Sequence, residues 1–274
     1  MNPNIRMLAI DMDGTLLHDD TTISPYTHDI LTQALAAGVR VVVATGRMFC
    51  SARQLATELG LGDVPLVTYS GGLIAKCISG EILYHAPIPL ATAREIVATA
   101  CELDAFVHAY VHDELWVRFR DRRVDDYEKH CRIEAKVIGA EMDALAAAPT
   151  KLLINEPDPQ KIARIAKVLR EKFAGRVHFV QSSPMFFEMV APHVSKGVAV
   201  EQLGLRYGIS MKQTMGFGNA QNDFDLLRAV GWPVAVANAV PELKAVAGYI
   251  APSNNEDGVA KTVAKYVLEA NDGR

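Results

Sequence analysis

Leu8-Ala9-Ile10-Asp11-Met12-Asp13-Gly14-Thr15-Leu16-Leu17 is the stretch from which the rest of the chain is read. A short apolar run ends in two carboxylates spaced i, i+2, and a glycine follows at once. In a strand, residues two apart point to the same side. Asp11 and Asp13 then face one site while Met12 faces away. Gly14 lets the backbone leave the strand sharply, and Thr15 begins a turn or helix. Two acids this close repel unless a cation sits between them, and a hard divalent cation with oxygen ligands meets that need. One acid can then serve as nucleophile and the other as general acid/base. The plainer reading of the same string is a strand end whose acids cap the next turn.

On either side of this stretch, short apolar runs alternate with helical patterns. Ile5–Ile10 reads as a strand. Ser24-Pro25 starts a helix, with Ser as N-cap and Pro in the first turn, and Gly38 ends it. Val39–Ala44 is a nearly continuous apolar strand, the mark of burial on both faces of a parallel sheet. A second helix puts Ala52, Leu55, Ala56 and Leu59 on one face and stops at Gly60, before a third strand at Val64–Thr68. The last third repeats the theme, with strands at Thr214–Phe217 and Val234–Ala237. A terminal helix there is lined by Val259, Ala260, Val263, Ala264, Val267 and Leu268. This alternation predicts an α/β fold with a doubly wound, Rossmann-like parallel-sheet core.

The middle has a different texture. Gly80-Glu81 reads as a hairpin turn between Leu73–Ile78 and Ile82–His85. Phe106–Tyr110 pairs with Leu115–Phe119 across His112-Asp113-Glu114. Leu152–Asn155 and Val177–Gln181 flank a helix over Pro159–Lys172. The charged run from Arg118 to Arg132 carries both signs and reads as solvated surface. The expected division is a core formed by residues 1–83 and 191–274, interrupted by an inserted α+β cap over residues 84–190.

The chain has 274 residues, half of them apolar, and a formal charge of −4. That charge argues against nucleic-acid binding through bulk positive charge. Cys50, Cys77, Cys101 and Cys131 lack metal-ligand or C-x-x-C spacing and read as reduced, structural thiols. No apolar run approaches the roughly 18 residues needed to span a membrane. The N-terminus lacks a signal pattern. A cytoplasmic protein with no membrane or nucleic-acid partner is the expectation, with a monomer as the default.

Further segments lie where strands end and helices begin. Thr45 and Gly46 can both donate to a phosphate oxygen at a helix N-terminus. Lys196 opens a helix, where a cation is electrostatically unfavourable, which suggests that it faces an anion. Gly218-Asn219-Ala220-Gln221-Asn222-Asp223 forms a polar, glycine-bounded loop. Asn238 and Ser253–Gly258 lie in comparable turns. Taken singly, each has an ordinary reading as a cap or a surface residue.

Together, in this order, they resemble the haloacid dehalogenase-like (HAD) phosphatases, and more narrowly the Cof-type, sugar-phosphatase-like branch. D-M-D-G-T-L-L at Asp11–Leu17 resembles the first motif and V-V-A-T-G-R at Val42–Arg47 the second. V-S-K-G at Val194–Gly197 resembles the lysine motif and G-N-A-Q-N-D at Gly218–Asp223 the fourth. A-V-A-N-A at Ala235–Ala239 and S-N-N-E-D-G-V at Ser253–Val259 match the closing segments. The resemblance implies Asp11 as nucleophile, Asp13 as acid/base, and Lys196 as the catalytic lysine. It implies a phosphate site of Thr45, Gly46, Lys196 and Asn222. It further implies Mg²⁺ held by Asp11, the Asp13 carbonyl and position 219, with Asp223 in support. The implied partner is a small phosphorylated metabolite, likeliest a sugar phosphate. Two positions depart from the pattern. The acid usual at the fourth motif is Asn219 here, which removes one negative charge from the metal site. Ser70-Gly71-Gly72 stands where N-G-A is common. A phosphotransferase or phosphomutase with the same intermediate is an alternative, as is a non-catalytic phospho-ligand sensor. In the cap, His112, Glu114, Trp116 and Arg118 are candidates to line the cleft, with an ordinary cap hairpin as the plainer reading. Phe186, Phe187, Glu188 and Met189, near the return to the core, either line the cleft or pack the hinge.

Overall fold

The computed structural model describes residues 4–269. The chain enters through β1 (Met7–Asp11), α1 (Pro25–Ala36), β2 (Arg40–Ala44), α2 (Phe49–Glu58) and β3 (Pro65–Thr68), then turns back through β4 (Leu73–Lys76) and β5 (Ile82–His85). It passes next through α3 (Leu90–Glu102), β6 (Val107–Val111), β7 (Glu114–Val117), α4 (Arg122–Cys131), β8 (Ala135–Val137), β9 (Lys151–Asn155) and α5 (Pro159–Lys172). Strands β10 (His178–Ser183) and β11 (Phe186–Val190) close this second unit. It returns as α6 (Lys196–Tyr207), β12 (Thr214–Gly218), α7 (Phe224–Ala229), β13 (Trp232–Val236), α8 (Pro241–Lys244), β14 (Tyr249–Ala251) and α9 (Gly258–Val263).

Two sheets result. The first has eight strands in the order β14-β13-β12-β1-β2-β3-β4-β5. From β14 to β3 the pairing is parallel, and the β4–β5 hairpin adds an antiparallel edge. The hairpin expected around Gly80 therefore extends the core sheet, and its second strand runs to His85. The second sheet has the order β10-β11-β9-β6-β7-β8. Among the described residues no helix is long and apolar enough to cross a membrane.

The sequence accounts for the local order. All five residues of β1 are buried, as a central parallel strand with both faces covered requires. The Ser24 hydroxyl accepts from Thr27 N at 3.0 Å, with Pro25 opening α1. Chain order runs outward from β1 in one direction through β2 and β3, and in the other through β12, β13 and β14. The carboxyl end of β1 is thus the switch point of the sheet, where a crevice opens.

The second sheet has two unlike faces, because side chains alternate along a strand. Val107, Ala109, Leu152, Ile154, Phe187 and Met189 pack with residues of α3 and α5. The opposite face carries Tyr110, Leu115, Val117 and Leu153, which pack with Tyr127 of α4 and with Met48, Tyr69 and Leu73 of the first unit. This apolar joint seats the second sheet beside the switch point.

Candidate active site

The carboxyl ends of β1, β2 and β12 deliver Asp11, Asp13, Thr45, Gly46, Asn219 and Asn222 to one cleft of about 220 Å³. Lys196 and Asp223 lie behind it, essentially inaccessible to solvent. The turn after β1 depends on glycine at position 14. Its φ is +70°, and a Cβ there would stand 2.4 Å from the Asn219 amide nitrogen. Asn238 donates to the Gly14 carbonyl at 2.8 Å, and Asn254 donates to Leu17 O at 3.0 Å. The closing segments thus brace the first motif. Gly71 plays a similar part at the lysine, since a Cβ on it would meet Ser195 O at 2.3 Å.

A chain of charges runs beneath the cleft. Lys196 Nζ donates to Asp11 Oδ1 at 2.5 Å and to Asp223 Oδ1 at 2.7 Å. Asp223 Oδ2 accepts from the backbone amides of Asn219 and Ala220 at 2.9 and 3.0 Å, so this acid also shapes the fourth-motif loop. The anions that Lys196 faces from the first turn of its helix are these two carboxylates. Burial pushes the Asp11 carboxyl up to about 7, with Asp223 adding to the shift and Lys196 opposing it. Burial alone would lower the Lys196 ammonium pKa; Asp11 and Asp223 more than reverse that.

The donors for an anion surround the mouth of α2. Thr45 is buried, and its hydroxyl oxygen accepts from Arg47 N at 3.1 Å, which leaves its proton to donate. A Cβ on Gly46 would lie 3.4 Å from Ser70 Oγ and 3.8 Å from Asn222 Nδ2. Ser70 Oγ is buried without a partner among the described residues.

Among the described residues Asp11 Oδ2 is likewise buried with no hydrogen-bond partner. An acceptor-only oxygen in that state is costly unless a cation or donor meets it. Asp11, Asp13 and Asp223 against Lys196 and Arg47 leave the site with one net negative charge. The donor set of Asp11 carboxylate, Asp13 carbonyl and Asn219 amide oxygen is hard, and so fits Mg²⁺.

The opposite wall is contributed by the second unit: Tyr127, His130, Cys131, Lys151, Ser182, Ser183, Phe186 and Glu188. Lys151 and Glu188 are both nearly inaccessible. Lys151 Nζ lies 3.1 Å from Glu188 Oε2 and donates to the Gly46 carbonyl at 2.8 Å. Two expectations are corrected here. His112, Glu114, Trp116 and Arg118 do not line the cleft. Trp116 pairs with Ala109, on the face turned to the helices, and donates to Glu114, while Arg118 pairs with Asp143. In the return strand, Phe186 and Glu188 face the cleft, whereas Phe187 and Met189 pack beneath the helices. In the return strand the cause is strand parity, since a shift of one residue reverses the face. In the hairpin the face opposite Trp116 packs Leu115 and Val117 against the first unit rather than into the cleft. Nor is the charged run only a solvated surface, because the same stretch turns Tyr127, His130 and Cys131 into the site. Lys151 and Arg47 went unassigned in the sequence. The available signal was a lysine heading an otherwise apolar strand.

The profile of the haloacid dehalogenase-like hydrolase family matches residues 8–263. A Streptococcus pyogenes protein, named provisionally as a phosphatase, is 32% identical over 276 residues, covering 97% of this chain and 99% of its own. The HMP-PP phosphatase of Serratia proteamaculans is 30% identical over 241 residues, 88% of this chain and 87% of its own. The crystal structure of TM0651 from Thermotoga maritima shares the fold with a TM-score of 0.83, 27% identity and 97% coverage of both chains. On these grounds the chain belongs to the haloacid dehalogenase-like hydrolases, in their Cof-type branch, and is a phosphatase.

Proposed function

We propose that the enzyme is a Mg²⁺-dependent phosphatase of small phosphorylated metabolites, sugar phosphates foremost, working through an aspartyl-phosphate on Asp11. The observation that carries this reading is the Asp11 carboxylate, held by Lys196 on one oxygen and unpartnered on the other, at the floor of a two-walled cleft. Asp11 attacks phosphorus, and the bond to the leaving oxygen breaks. Asp13 gives that oxygen a proton, then takes one from the water that attacks the phosphorus of the acyl phosphate. Thr45, Gly46, Asn222 and Lys196 hold the phosphoryl oxygens. Asp11, the Asp13 carbonyl and Asn219 would hold Mg²⁺, which would supply neutralisation of the charge on the phosphoryl group.

The second wall supports a hydroxyl-rich leaving group. Ser183 Oγ is buried without a hydrogen-bond partner among the described residues. Beside it Glu188 pairs with Lys151 through one oxygen and accepts from Ser182 on the other, so a substrate alcohol can meet the Ser183 hydroxyl. The likeness to an HMP-PP phosphatase supports a small phosphorylated metabolite.

The test is phosphate release from a panel of phosphorylated metabolites and p-nitrophenyl phosphate, in Mg²⁺ or EDTA, for this chain and its Asn219→Asp variant. The expected result is Mg²⁺-dependent release, with half-saturating Mg²⁺ lowered about tenfold in the variant, because an anionic ligand replaces a neutral one. Release unaffected by EDTA overturns the metal dependence. Mg²⁺-dependent release confined to non-sugar esters overturns the substrate class.

A further inference from the structure

Arg47 holds more of this site together than its position suggests. Its Nε and Nη2 donate to Asp13 Oδ2 and Oδ1 at 2.8 and 2.7 Å, a two-bond fork on one carboxylate. Its Nη1 donates to Ser51 Oγ at 3.2 Å and to the carbonyl of His130 at 3.4 Å. Ser51 Oγ in turn donates to the Cys131 carbonyl at 2.6 Å. His130 and Cys131 are the last two residues of α4. The final carbonyls of a helix lack partners within it and form its negative end. Arg47 and Ser51, both buried, supply these partners from the first unit.

The two ends of this arginine differ in exposure. The Asp13 side chain is 43% exposed, against 6% for Arg47. Asp13 hangs in the turn after β1 and, among the described residues, its carboxylate accepts only from Arg47. The arginine is the fixed partner and the acid the free one. The fork uses one lone pair on each carboxylate oxygen and leaves the others open to a leaving group or a water.

The second unit grips the same short segment elsewhere. Lys151 donates to Gly46 O. Asp113, at the tip of the β6–β7 hairpin, accepts from Cys50 N at 3.1 Å and from Tyr69 Oη at 2.6 Å. Helix α2 has no side-chain cap of its own, since Met48 stands at its N-cap. Every contact the second unit makes with residues 46–51 therefore bears on the loop that carries Arg47.

We propose that Arg47 is the positioning residue of Asp13, and that it holds the acid in its reacting place only while the carbonyl end of α4 is docked against it. The inference rests on the phosphatase reading above. It makes proton transfer conditional on the seating of the second unit, through two named carbonyls. Lysine is not equivalent at this position, because one ammonium cannot form the fork and reach α4 as well.

The test is a double-mutant cycle with two aryl esters, phenyl phosphate and p-nitrophenyl phosphate, in saturating Mg²⁺. Phenolate needs its proton more than nitrophenolate does. Arg47→Met is expected to lower kcat about 100-fold on phenyl phosphate and about tenfold on p-nitrophenyl phosphate, the skew expected of Asp13→Ala. In the Asp13→Ala background, Arg47→Met should add less than about twofold. Losses that multiply across the cycle, or that are equal for both esters, overturn the proposal and make Arg47 a substrate or fold contact. Arg47→Lys, with its charge kept, carries the same test if the methionine variant fails to fold; it should show a smaller loss with the same skew. Ser51→Ala removes the Cys131 arm of the link to α4 and keeps the His130 arm; it should lose about threefold to tenfold with that skew. A loss without skew removes α4 from the account. If the unmodified chain releases no phosphate from either ester or from the metabolite panel, the phosphatase reading falls and this inference with it. If it does, and only the cycle is additive, the reading stands and this inference falls.

Discussion

Each wall of the cleft contains a buried lysine, and the two are balanced differently. On the first unit Lys196 lies between Asp11 and Asp223, so three charges sum to minus one. On the second unit Lys151 faces Glu188 alone, and its remaining reach goes to a neutral carbonyl. The first wall is therefore left wanting a cation, and the second is already neutral. A wall with unbalanced charge suits charge transfer, while a neutral wall that offers the Ser183 hydroxyl suits recognition of a neutral group.

The sharpest way to break this contrast is at Asp11. Asp11→Asn removes the nucleophile and also the excess negative charge. Turnover is expected to fall by about three orders of magnitude or more, with the thermal melt retained because Asp223 still pairs with Lys196. Near-normal phosphate release from a folded variant would end the assignment of Asp11.

A smaller effect distinguishes the neutral wall. Lys151→Met leaves Glu188 buried and uncompensated, at a cost of about 3 kcal/mol. Replacing both with methionine is expected to restore stability to within about 1 kcal/mol, since the desolvation of both charges disappears together. The double variant should still show a raised KM for hydroxyl-rich esters. Urea midpoints for the single and double variants read the difference. A double variant as unstable as the single one would mean that Lys151 matters through Gly46 rather than through Glu188.

The smallest effect lies beneath the second wall. His108 is fully buried among Phe106, Tyr110 and Tyr127, with neither ring nitrogen partnered. Burial, aided by Lys151 and Arg123, pulls its pKa down to about 3. An unfolded histidine takes up its proton near pH 6.5, well before the folded one does. The stability it contributes is thus complete above about pH 6.5 and declines as pH falls towards 3, by about 1.4 kcal/mol per unit. Urea titrations at pH 7 and pH 5 should show a smaller loss for His108→Phe than for the unmodified chain. Equal losses would place the acid sensitivity elsewhere.

The same contrast explains what could be read from the sequence. Residues of the first wall stand in short motifs at strand ends, where the chemistry of a turn fixes both place and direction. An apolar run followed by a polar turn implies a sheet's carboxyl edge, but Thr45 and Asn219 read singly as caps, and it is the resemblance of the motifs in their order that joins them with Asp11 in one site. Residues of the second wall stand inside elements. Whether Glu188 or Phe187 meets the cleft depends on the parity of a strand, and whether Tyr127 does depends on the rotation of a helix whose composition is mostly charged. Trp116 takes the ordinary hairpin place that its sequence also allows, on the face turned to the helices. The β4–β5 hairpin was read correctly as a hairpin. The expected core, which runs to residue 83, takes in all but the hairpin's last two residues, and β5 continues the same sheet to His85.

The central place of β1 also has a consequence for how the molecule is made. One edge of β1 pairs with β2 soon after in the chain, but the other pairs with β12, in a register that sets Met7 opposite Thr214 and Ile10 opposite Phe217. During synthesis at about 5–20 residues per second, that second edge waits roughly 10–40 s for its partner. Throughout that interval a wholly apolar strand segment ending in Asp11 has an open side, the kind of surface on which chains join wrongly. The nascent first unit therefore keeps this edge open until β12 has been made, and the inserted second unit lengthens the wait.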